Sequence, residues 1–532
     1  MKSLPHRWRI AIGGAFAVLA AGVVVVAVRS GSDGVGAKPH NAADVRATIR
    51  TSDGVTLAAE VITSKGTGPA PLVVMPASWG ATAAEYHVVG MRFAAAGYVV
   101  LAYTQRGFFD SGGEIDFAGP RTQRDVSEVI TWALAHAPAD PKHIGLLGVS
   151  YGAGMSLLAA ANDSRIRAVV ALSTWADMAA SLHPNGTTSA YALGGLLSNA
   201  KTSGHPSALV ASLTQRLIAD PTAAGATIDT MSPSRSPMAY IDALNRNQPA
   251  IMLANGYEDS LFGPHQLVDF FAKLTTPKRL QLAPGDHGGP ESAGLRGKKD
   301  DAVDNGLQWL DHYLRGRPNV VAAAKPIQLQ DQTTGVWHGY ATWPGARQLT
   351  VDLAQPDTRT VTMQGTPSVW TAGLTTGTDS AATSGQPLVF SGLYQVPHAQ
   401  LATMPTGQAF VWSGPAVTSP TLVSGTSSLH VSMASSGPSV TVFAYLYDVG
   451  ASGTGQLMSV TPFTATGLTP DTAHAVTISL QPTSWTLPAG DHLELIVDTV
   501  DLRYHSAAPA GSTLTMTSTA SHPATLQVPV LG

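Results

Sequence analysis

The chain has 532 residues, of which 44% are hydrophobic and 12% are charged, and its formal net charge is −4. This balance excludes an intrinsically disordered chain, and it provides no basic field that would attract nucleic acid. Because there is no cysteine, disulfides, thiolate metal sites and cysteine nucleophiles are excluded as well. The length corresponds to roughly three domains of about 150 residues each.

The N-terminal segment has the pattern of an export signal. Residues 10–28 are apolar and uncharged, and they follow three Lys and Arg residues. As a helix this run would extend roughly 28 Å, close to the thickness of a bilayer core. Residues 1–29 are therefore predicted to form a signal-anchor, with a cleaved signal peptide and a buried core helix as the alternatives. The positive flank predicts that the rest of the chain lies outside the cytoplasm, anchored or secreted, after a linker at residues 30–43.

From residue 44 to residue 317, short apolar runs alternate with segments of helical periodicity. Such runs are typical of strands buried on both faces of a parallel sheet, and the alternation predicts an α/β fold. Residues 179–230 interrupt it with a stretch rich in Ala, Leu, Ser and Gly, interpreted as a helical cap inserted between two strands. The predicted strands are 71–75, 98–103, 144–149, 168–172, 250–254 and 279–282.

The composition changes at about residue 318. Charged residues become rare, Thr, Ser, Val, Gly and Pro dominate, and turn residues separate short runs of alternating polarity. This pattern predicts an all-β sandwich of the jelly roll type over residues 318–532. Its predicted strands are 348–353, 429–433, 439–447, 475–480, 492–498 and 513–517.

Residues 148–152 read G-V-S-Y-G and match the G-x-S-x-G motif of a nucleophile elbow. The motif needs a strand before it and a helix after it, and residues 144–149 and 153–161 have those patterns. In that setting the turn lifts the serine hydroxyl above the edge of the sheet. Ser150 is therefore the candidate nucleophile, with an ordinary glycine-rich turn as the alternative.

A serine hydroxyl needs a positioned base, and in this fold the acid and the histidine follow the serine in the chain, each after a later strand. Asp259 follows the fifth predicted strand and is the candidate acid, with its neighbour Glu258 as the alternative. His287 follows the sixth predicted strand and is the candidate base, whereas Asp286 is interpreted as a turn residue. As the base, His287 would take the serine proton and return it to the leaving group, while Asp259 holds its tautomer.

The oxyanion formed during acyl transfer needs preorganised hydrogen-bond donors. One predicted donor is the backbone N–H of Tyr151, and the other is that of Ser78 or Trp79, in the loop after the first predicted strand. Aromatic residues on these loops are candidates for an apolar substrate pocket, with packing in the core or cap as the alternative. The pocket candidates are Phe108, Trp175 and Phe262, with Trp79, Phe109 and Tyr151 beside them.

Several segments resemble the X-prolyl dipeptidyl-peptidase and cocaine-esterase group of α/β-hydrolases. They are residues 106–107 with 111–113, 148–152, 256–262, 285–288, 309–316, 337 with 343–344, 488–495 and 503–504. The likeness covers most of the chain from about residue 50, and the combination of segments is specific. It implies a serine hydrolase with a helical cap and a C-terminal jelly roll domain, and by position it assigns the triad to Ser150, Asp259 and His287.

The sequence departs from this family at two places. Some relatives carry a Tyr in the loop after the first strand of the catalytic domain, where its hydroxyl completes the oxyanion hole. This chain has Ser78 and Trp79 in that loop. The cap is also short, and we identify in it no residues that would hold the free amino terminus of a dipeptidyl substrate.

The sequence thus predicts an extracytoplasmic serine hydrolase that acts through an acyl-enzyme and cleaves either an ester bond or a peptide bond in the manner of an X-Pro dipeptidyl-peptidase. The alternative is an inactive hydrolase-fold protein whose β domain binds glycan or cell wall. The chain has no H-E-x-x-H, P-loop or dinucleotide motif, so neither a metal nor a cofactor is predicted. The expected partner is a small-molecule ester or short peptide, with no nucleic acid and with membrane contact only through residues 1–29.

Overall fold

The computed structural model describes residues 42–64, 68–345, 347–353, 358–362, 398–400, 409–509, 511–518 and 523–531. The predicted signal-anchor, and the predicted linker as far as residue 41, lie outside the described residues. Within the part of the chain that the structure describes, no helix combines the length and the apolar character needed to cross a membrane.

A sheet of ten strands forms the centre of the first domain. Numbered along the chain, they are β1 Ala42–Arg50, β2 Thr56–Ser64, β3 Ala70–Pro76, β4 Val99–Tyr103, β5 Ala139–Val149, β6 Ile166–Leu172, β7 Ala250–Gly256, β8 Lys278–Ala283, β9 Ile327–Gln330 and β10 Trp337–Tyr340. Their order is β1-β2-β4-β3-β5-β6-β7-β8-β9-β10. All pairs from β4 to β9 in this order are parallel, and the pairs β1–β2, β2–β4 and β9–β10 are antiparallel. The predicted mostly parallel α/β sheet is confirmed.

The central strands are buried on both faces, which explains their uninterrupted apolar runs. On β3, Leu72 and Val74 belong to the core on one face of the sheet, whereas Val73 and Met75 belong to the core on the other face. Successive side chains of a strand point to opposite faces, so each face needs its own apolar layer.

Helices supply both layers. In chain order they are α1 His87–Ala95, α2 Pro120–His136, α3 Tyr151–Asn162, α4 Met178–Leu182, α5 Ala190–Ser203, α6 Ala208–Ala219, α7 Pro221–Met231, α8 Ile241–Asn247, α9 His265–Lys273, α10 Ser292–Leu295, α11 Asp301–Arg315 and α12 Val320–Ala323. Short 3-10 turns occur at Ala83–Tyr86, Pro184–Gly186, Ser232–Ser234 and Pro237–Tyr240. Apolar side chains of α2 and α3 contribute to one core, and those of α1 and α11 contribute to the other.

The connection between β6 and β7 is a helical insertion, as predicted, but it extends further than expected. Its helices are α4 to α8, so it continues to residue 247 rather than ending at about residue 230. The last helix packs against α3, where Nδ2 of Asn247 lies 3.0 Å from the carbonyl oxygens of Ala160 and Ala161. The chain therefore returns to the main sheet only after α8.

The first sheet also extends past the domain boundary predicted at residue 317. β9 adds in parallel to β8, and β10 returns antiparallel to β9, so the sheet ends at Tyr340. Both strands are only four residues long, and β10 is half-buried throughout. Such short, half-buried strands lack the continuous apolar run from which the other strands were predicted.

The described residues of the second domain form two antiparallel sheets, and the predicted all-β sandwich is confirmed. Its strands are β11 Gln348–Asp352, β12 Thr358–Thr362, β13 His398–Gln400, β14 Phe410–Ser413, β15 Thr421–Gly425, β16 Ser428–Ser435, β17 Ser439–Val449, β18 Thr454–Thr466, β19 His474–Ser479, β20 Thr483–Leu487, β21 His492–Asp498, β22 Thr513–Thr517 and β23 Thr525–Leu531. One sheet has the order β12-β22-β16-β23-β15-β20, with β11 on β23 and β19 on β16. The other has the order β13-β18-β17-β21-β14, and a shared apolar core contains residues of both.

The β domain contacts several elements of the first domain, among them α5 of the cap and the start of α9. The backbone N–H of Tyr191, on α5 of the cap, donates to the carbonyl oxygen of Arg503 at 3.0 Å. At the start of α9, the backbone N–H of His265 donates to Oε1 of Gln481 at 3.1 Å. The second domain therefore forms hydrogen bonds with both the cap and the segment that follows β7.

Candidate active site

Ser150 lies between the end of β5 and the start of α3. Its backbone has φ 54° and ψ −119°, a conformation that a residue with a side chain adopts only under strain. Its N–H donates to the carbonyl oxygen of Leu172 at 2.8 Å, which ties the turn to the end of β6. A strained strand-to-helix turn of this kind is the feature that exposes a serine nucleophile.

Two glycines make this turn possible. A Cβ atom on Gly148 would lie 2.3 Å from the carbonyl carbon of Gly152, and one on Gly152 would lie 1.9 Å from the carbonyl oxygen of Pro76. The opposing atoms are backbone, so no side-chain rotation could relieve these contacts. Both motif glycines are therefore required by the close approach of the strand, the turn and the neighbouring loop.

The structure brings Ser150, Asp259 and His287 together. Nε2 of His287 lies 2.8 Å from Oγ of Ser150, and its Nδ1 lies 2.9 Å from Oδ2 and 3.1 Å from Oδ1 of Asp259. All three residues are buried, and at most 5% of any of them is exposed. A carboxylate at Nδ1 favours the tautomer that carries its proton there, which leaves Nε2 able to accept the proton of the serine.

Asp259 is held in place by the backbone of its own loop. Its Oδ1 accepts hydrogen bonds from the N–H groups of Leu261 and Phe262, at 3.0 Å and 2.7 Å. The alternative acid, Glu258, instead accepts a hydrogen bond from the N–H of Gly285 at 2.8 Å. Asp259 is thus the carboxylate that faces the histidine, and Glu258 joins the two loops.

The loops that carry the acid and the base pack directly on each other. A Cβ atom on Gly256 would lie 2.0 Å from the carbonyl oxygen of Gly285. Oδ1 of Asp286 accepts from the N–H of Ser260 at 2.9 Å and from the N–H of His287 at 2.6 Å. Asp286 therefore acts in the loop geometry, in agreement with its interpretation as a turn residue.

The electrostatic environment makes His287 a stronger base than an isolated imidazole. Burial lowers its pKa, but the charge of Asp259 and the hydrogen bond to it outweigh that effect and raise the pKa above the ordinary value. The negative charges of Glu291 and Asp286 add to the increase. A raised pKa increases the affinity for the serine proton but requires a higher pH for the imidazole to be neutral.

Two backbone N–H groups beside Ser150 are open for an oxyanion. Within the described chain, neither the N–H of Tyr151 nor that of Trp79 donates a hydrogen bond to another group. Both residues line the cavity that contains Ser150. Tyr151 is also the first residue of α3, and the positive end of a helix dipole favours a negative charge at that position.

Ser78, the alternative donor, is already engaged. Its N–H donates to Oε2 of Glu85 at 2.9 Å, and its hydroxyl lies 2.7 Å from Oε1 of Glu85 and 3.0 Å from the carbonyl oxygen of Val149. The structure thus separates two candidates that the sequence left equal, because the N–H of Ser78 is occupied and that of Trp79 is not.

A small cavity lies beside Ser150, which is one of its lining residues. Its remaining walls are formed by the side chains of Trp79, Phe117, Tyr151, Trp175, Met178, Leu182, Leu196 and Phe262. None of the described residues that line it carries a charge. Such walls can bury an apolar group, whereas a charged group would lose its hydration there without a compensating partner.

Of the predicted pocket residues, Trp175 and Phe262 line the cavity but Phe108 does not. Phe108 is fully buried behind Trp79, with ring centroids 5.1 Å apart in an edge-to-face arrangement. A β-bridge between Phe108 and Gly204 pairs this segment with the residue that follows α5. Phe108 therefore supports the cavity wall from behind Trp79 and is not one of the residues that line the cavity.

Sequence reasoning missed two acidic residues near the site. Burial raises the pKa of Glu85 to about 7 despite its hydrogen bonds from Ser78. Burial also raises the pKa of Glu291 to about 7, although Ser173 and His287 lower it. Neither residue lies in a recognisable motif, and the position of Glu291 four residues after His287 is the only sequence signal.

One group of side chains in the described residues could hold a metal ion. Asp44, Glu60 and His87 offer ligand atoms that all lie within 4.8 Å of one another. Nδ1 of His87 already lies 2.6 Å from Oε1 of Glu60. The group belongs to β1, β2 and the start of α1, which carry no residue of the candidate site, and a surface ion pair explains it.

Short segments of the chain are similar to curated proteins. A segment of 126 residues is 33% identical to a thiohydrolase of Arthrinium phaeospermum and covers 23% of this chain and 41% of that protein. A segment of 115 residues is 34% identical to a quorum-quenching protein of Acinetobacter baumannii and covers 20% of this chain and 36% of that protein. The chain thus spans less than half the length of these relatives.

Solved structures share the fold over nearly the whole chain. An aminopeptidase from a marine sediment Thaumarchaeota archaeon has a TM-score of 0.70 at 17% identity, over 95% of this chain and 100% of that chain. A CocE/NonD family hydrolase from Staphylococcus aureus has 0.68 at 15%, over 91% and 93%. An α-amino acid ester hydrolase has 0.67 at 15%, over 96% and 100%. At these identities the likeness concerns the fold.

Two family models match the two domains. Residues 53–289 match the model of the X-Pro dipeptidyl-peptidase (S15 family), and residues 319–528 match that of the X-Pro dipeptidyl-peptidase C-terminal non-catalytic domain. The matched regions follow each other in the order expected from the resemblance in the sequence, which is thereby confirmed. The chain belongs to the X-Pro dipeptidyl-peptidase (S15) family of hydrolases and carries the C-terminal domain of that family.

Proposed function

We propose that this protein is a serine hydrolase that cleaves carboxylic esters with an uncharged, apolar acyl group. The observation that carries the proposal is the position of the Ser150 hydroxyl. It lies 2.8 Å from Nε2 of His287 and opens into a cavity with apolar walls. Membership of a hydrolase family supports the reaction class.

The first half of the reaction acylates the enzyme. Oγ of Ser150 attacks the carbonyl carbon of the ester while its proton passes to Nε2 of His287. Asp259 stabilises the imidazolium, and the N–H groups of Tyr151 and Trp79 stabilise the oxyanion. Collapse of the intermediate breaks the bond to the leaving alcohol, which takes the proton from His287.

The second half releases the acid. A water molecule gives a proton to His287 and attacks the acyl carbon, so a second oxyanion forms in the same place. Its collapse breaks the bond to Oγ of Ser150, which recovers its proton from His287. The net reaction is hydrolysis of one ester bond, with the enzyme unchanged.

Release of X-Pro dipeptides from the amino terminus of a peptide is the second candidate, because the matching family models are described as X-Pro dipeptidyl-peptidase. A dipeptidyl substrate brings a cationic amino terminus to a fixed distance from the scissile bond. A carboxylate at that distance would be needed to compensate for its lost hydration. The described residues that line the cavity include no carboxylate, and this favours the ester over the dipeptide.

Paired turnover assays test the proposal. We expect the purified protein to hydrolyse 4-nitrophenyl butyrate, and to leave Gly-Pro and Ala-Pro 4-nitroanilides intact. Ser150→Ala should abolish the ester turnover. Ser156→Ala is the matched control, because Ser156 is a buried serine on α3 whose hydroxyl donates to the carbonyl oxygen of Gly152, at 2.7 Å.

Three outcomes separate the candidates. Amide turnover that Ser150→Ala removes would replace the ester proposal by the dipeptidyl-peptidase. Ester turnover that survives Ser150→Ala would overturn the role of Ser150. Absence of both activities in the wild type would leave the binding role of the β domain as the better account.

We also propose that the enzyme acts outside the cytoplasm. The support is the sequence of residues 1–29, in which an uncharged apolar run follows basic residues. Expression of the full chain, followed by fractionation and protease treatment of intact cells, tests this proposal. Protease resistance in intact cells, with cleavage after lysis, would contradict it.

A further inference from the structure

The oxyanion donor on Trp79 depends on the conformation of the loop at residues 76–80. The sheet holds the start of this loop, where the N–H of Ala77 donates to the carbonyl oxygen of Tyr103 at 3.0 Å. The cap holds the Trp79 side chain, whose Nε1 donates to the carbonyl oxygen of Leu196 at 3.0 Å. Neither contact involves the peptide between Ser78 and Trp79, which carries the donor.

Glu85 holds the residue next to that peptide. Its two carboxylate oxygens lie 2.9 Å from the N–H of Ser78 and 2.7 Å from the hydroxyl of Ser78. Two hydrogen bonds from one side chain to one residue restrict both its position and its rotation. Because Glu85 takes the N–H of Ser78, the next N–H along the chain remains open.

The same short turn also holds the nucleophile. Glu85 and Tyr86 belong to the 3-10 turn Ala83–Tyr86. The hydroxyl of Tyr86 accepts from the N–H of Val149 at 2.9 Å, and the hydroxyl of Ser78 lies 3.0 Å from the carbonyl oxygen of Val149. Val149 precedes Ser150, so this turn connects the loop of one oxyanion donor to the turn that carries the nucleophile and the other donor.

We propose that Glu85 is a positioning residue of the oxyanion hole, which sets the peptide of Trp79 by binding the N–H and the hydroxyl of Ser78. The inference rests on the proposed function, since it assumes an oxyanion formed at Ser150. It assigns no contact between Glu85 and the substrate. Glu85 acts through Ser78, and its loss should weaken binding of the transition state more than binding of the ester.

A carboxyl group at this place is costly, which argues for a role beyond packing. Burial raises the pKa of Glu85 to about 7, although the two hydrogen bonds from Ser78 lower it. An apolar side chain of similar size would avoid that cost. Such a residue would leave the N–H of Ser78 without an acceptor and the following peptide free to rotate.

The test compares three variants of the full chain in ester hydrolysis. Glu85→Met keeps the volume and removes both acceptors, and we expect kcat to fall roughly 10- to 100-fold with KM within about two-fold. Glu85→Gln keeps one acceptor and should restore kcat to within about five-fold of the wild type. Thr104→Val is the matched control, because Oγ1 of Thr104 accepts from the N–H of Ala83 at 3.0 Å, so it anchors the same turn without touching Ser78.

A second readout separates positioning from folding. A boronic acid that forms a tetrahedral adduct with Ser150 should lose affinity for Glu85→Met in proportion to the loss in kcat. If Glu85→Met does not fold, Ser78→Ala replaces it, since it removes the hydroxyl that bridges Glu85 and Val149. That variant should lower kcat several-fold at constant KM.

The results distinguish this inference from the proposed function. If the wild type shows neither ester turnover nor adduct formation, the proposed function fails and this inference fails with it. If the wild type is active but Glu85→Met keeps its kcat, the positioning role alone is wrong. An equal loss of kcat in Thr104→Val would also overturn it, because the effect would then come from the turn rather than from Ser78.

Discussion

In the candidate site, hydrogen bonds from neighbouring groups fix the orientation of Asp259 and decide which backbone N–H can bind an oxyanion. Backbone donors hold Oδ1 of Asp259, so its carboxylate faces His287 in a single orientation. Glu85 takes the N–H of Ser78, so the N–H of Trp79 remains. In both cases, the hydrogen bonds of the neighbouring groups determine which group remains available for the reaction.

The orientation of His287 gives the first prediction. Asp259→Asn should lower kcat roughly 10⁴-fold with little change in KM, because an amide would donate to Nδ1 and select the wrong tautomer. Glu258→Gln is the matched control, since its amide oxygen can still accept from the N–H of Gly285. Steady-state kinetics check both variants. A loss of less than about ten-fold in Asp259→Asn would show that Asp259 does not orient the base.

The pKa of His287 gives the second prediction. Its imidazole must be neutral to accept a proton, so kcat/KM should rise with pH and its acid limb should have a midpoint above the ordinary value of 6.5. The charge of Glu291 contributes to the increase, so Glu291→Gln should move the midpoint downward. The pH dependence of kcat/KM for both proteins is the measurement. A midpoint at or below 6.5, or no shift in the variant, would contradict the account.

Sequence predicted Ser150, Asp259 and His287 as the candidate triad because their chain order and their positions after buried strands are local signals. It could not separate Ser78 from Trp79, since that choice depends on a hydrogen bond from Glu85, which has no motif of its own. For a similar reason, sequence could not place Phe108 behind the cavity wall. Its β-bridge to Gly204 joins segments about one hundred residues apart, and no local pattern reports such a pairing.

At the scale of elements, the turn at Ser150 depends on the close approach of three backbone segments, which are the end of β5, the turn itself and the loop at Pro76. The strands were predictable where they are buried on both faces and read as continuous apolar runs. β9 and β10 were not, because they are short and partly exposed at the edge of the sheet. The end of the cap was also missed, since α8 packs on α3 through contacts that its own sequence does not reveal.

The third prediction concerns this close approach. Gly152→Ala should lower both the Tm and the activity, because its Cβ would lie 1.9 Å from the carbonyl oxygen of Pro76. Gly194→Ala on α5 is the control, since its Cβ would meet only a side-chain atom of Leu217, at 3.6 Å. That substitution should be neutral or stabilise the protein by about 0.5–1 kcal/mol. Thermal unfolding and ester turnover measure the contrast, and equal Tm values for the two variants would contradict it.

At the scale of the whole molecule, the two domains have separate cores, and the residues that line the apolar cavity all belong to the first domain. The β domain binds the cap through Arg503 and the start of α9 through Gln481. The division into an α/β domain and an all-β domain was predictable, because composition and periodicity change along the chain. The position of the boundary was not, since the last strands of the first sheet lie after the change in composition.

The fourth prediction concerns the stability of the fold as a function of pH. The ordinary pKa of a Glu is 4.5, and burial raises the pKa of Glu291 in the folded protein to about 7. Between these values the folded state binds more protons, so the free energy of unfolding falls as the pH rises. Above about pH 7, the total decrease in the free energy of unfolding is roughly 3 kcal/mol.

Glu291→Gln removes this ionisation, so it should raise the Tm at pH 8 and have a much smaller effect at pH 5. Glu114→Gln is the control, because Glu114 is exposed and should change the Tm equally little at both values. Thermal unfolding at the two pH values checks the prediction. A larger gain at pH 5 than at pH 8 would reverse the sign and refute it.

The most direct measurement of the central claim is the site of covalent modification by a fluorophosphonate. The reagent reacts with a serine only when a neighbouring base activates the hydroxyl. After digestion, mass spectrometry should find the adduct on the peptide that contains Ser150. Ser150→Ala should remove the adduct, and Ser156→Ala should retain it. An unmodified Ser150 in the folded wild type, or an adduct at another serine, would contradict the assignment of Ser150 as the nucleophile.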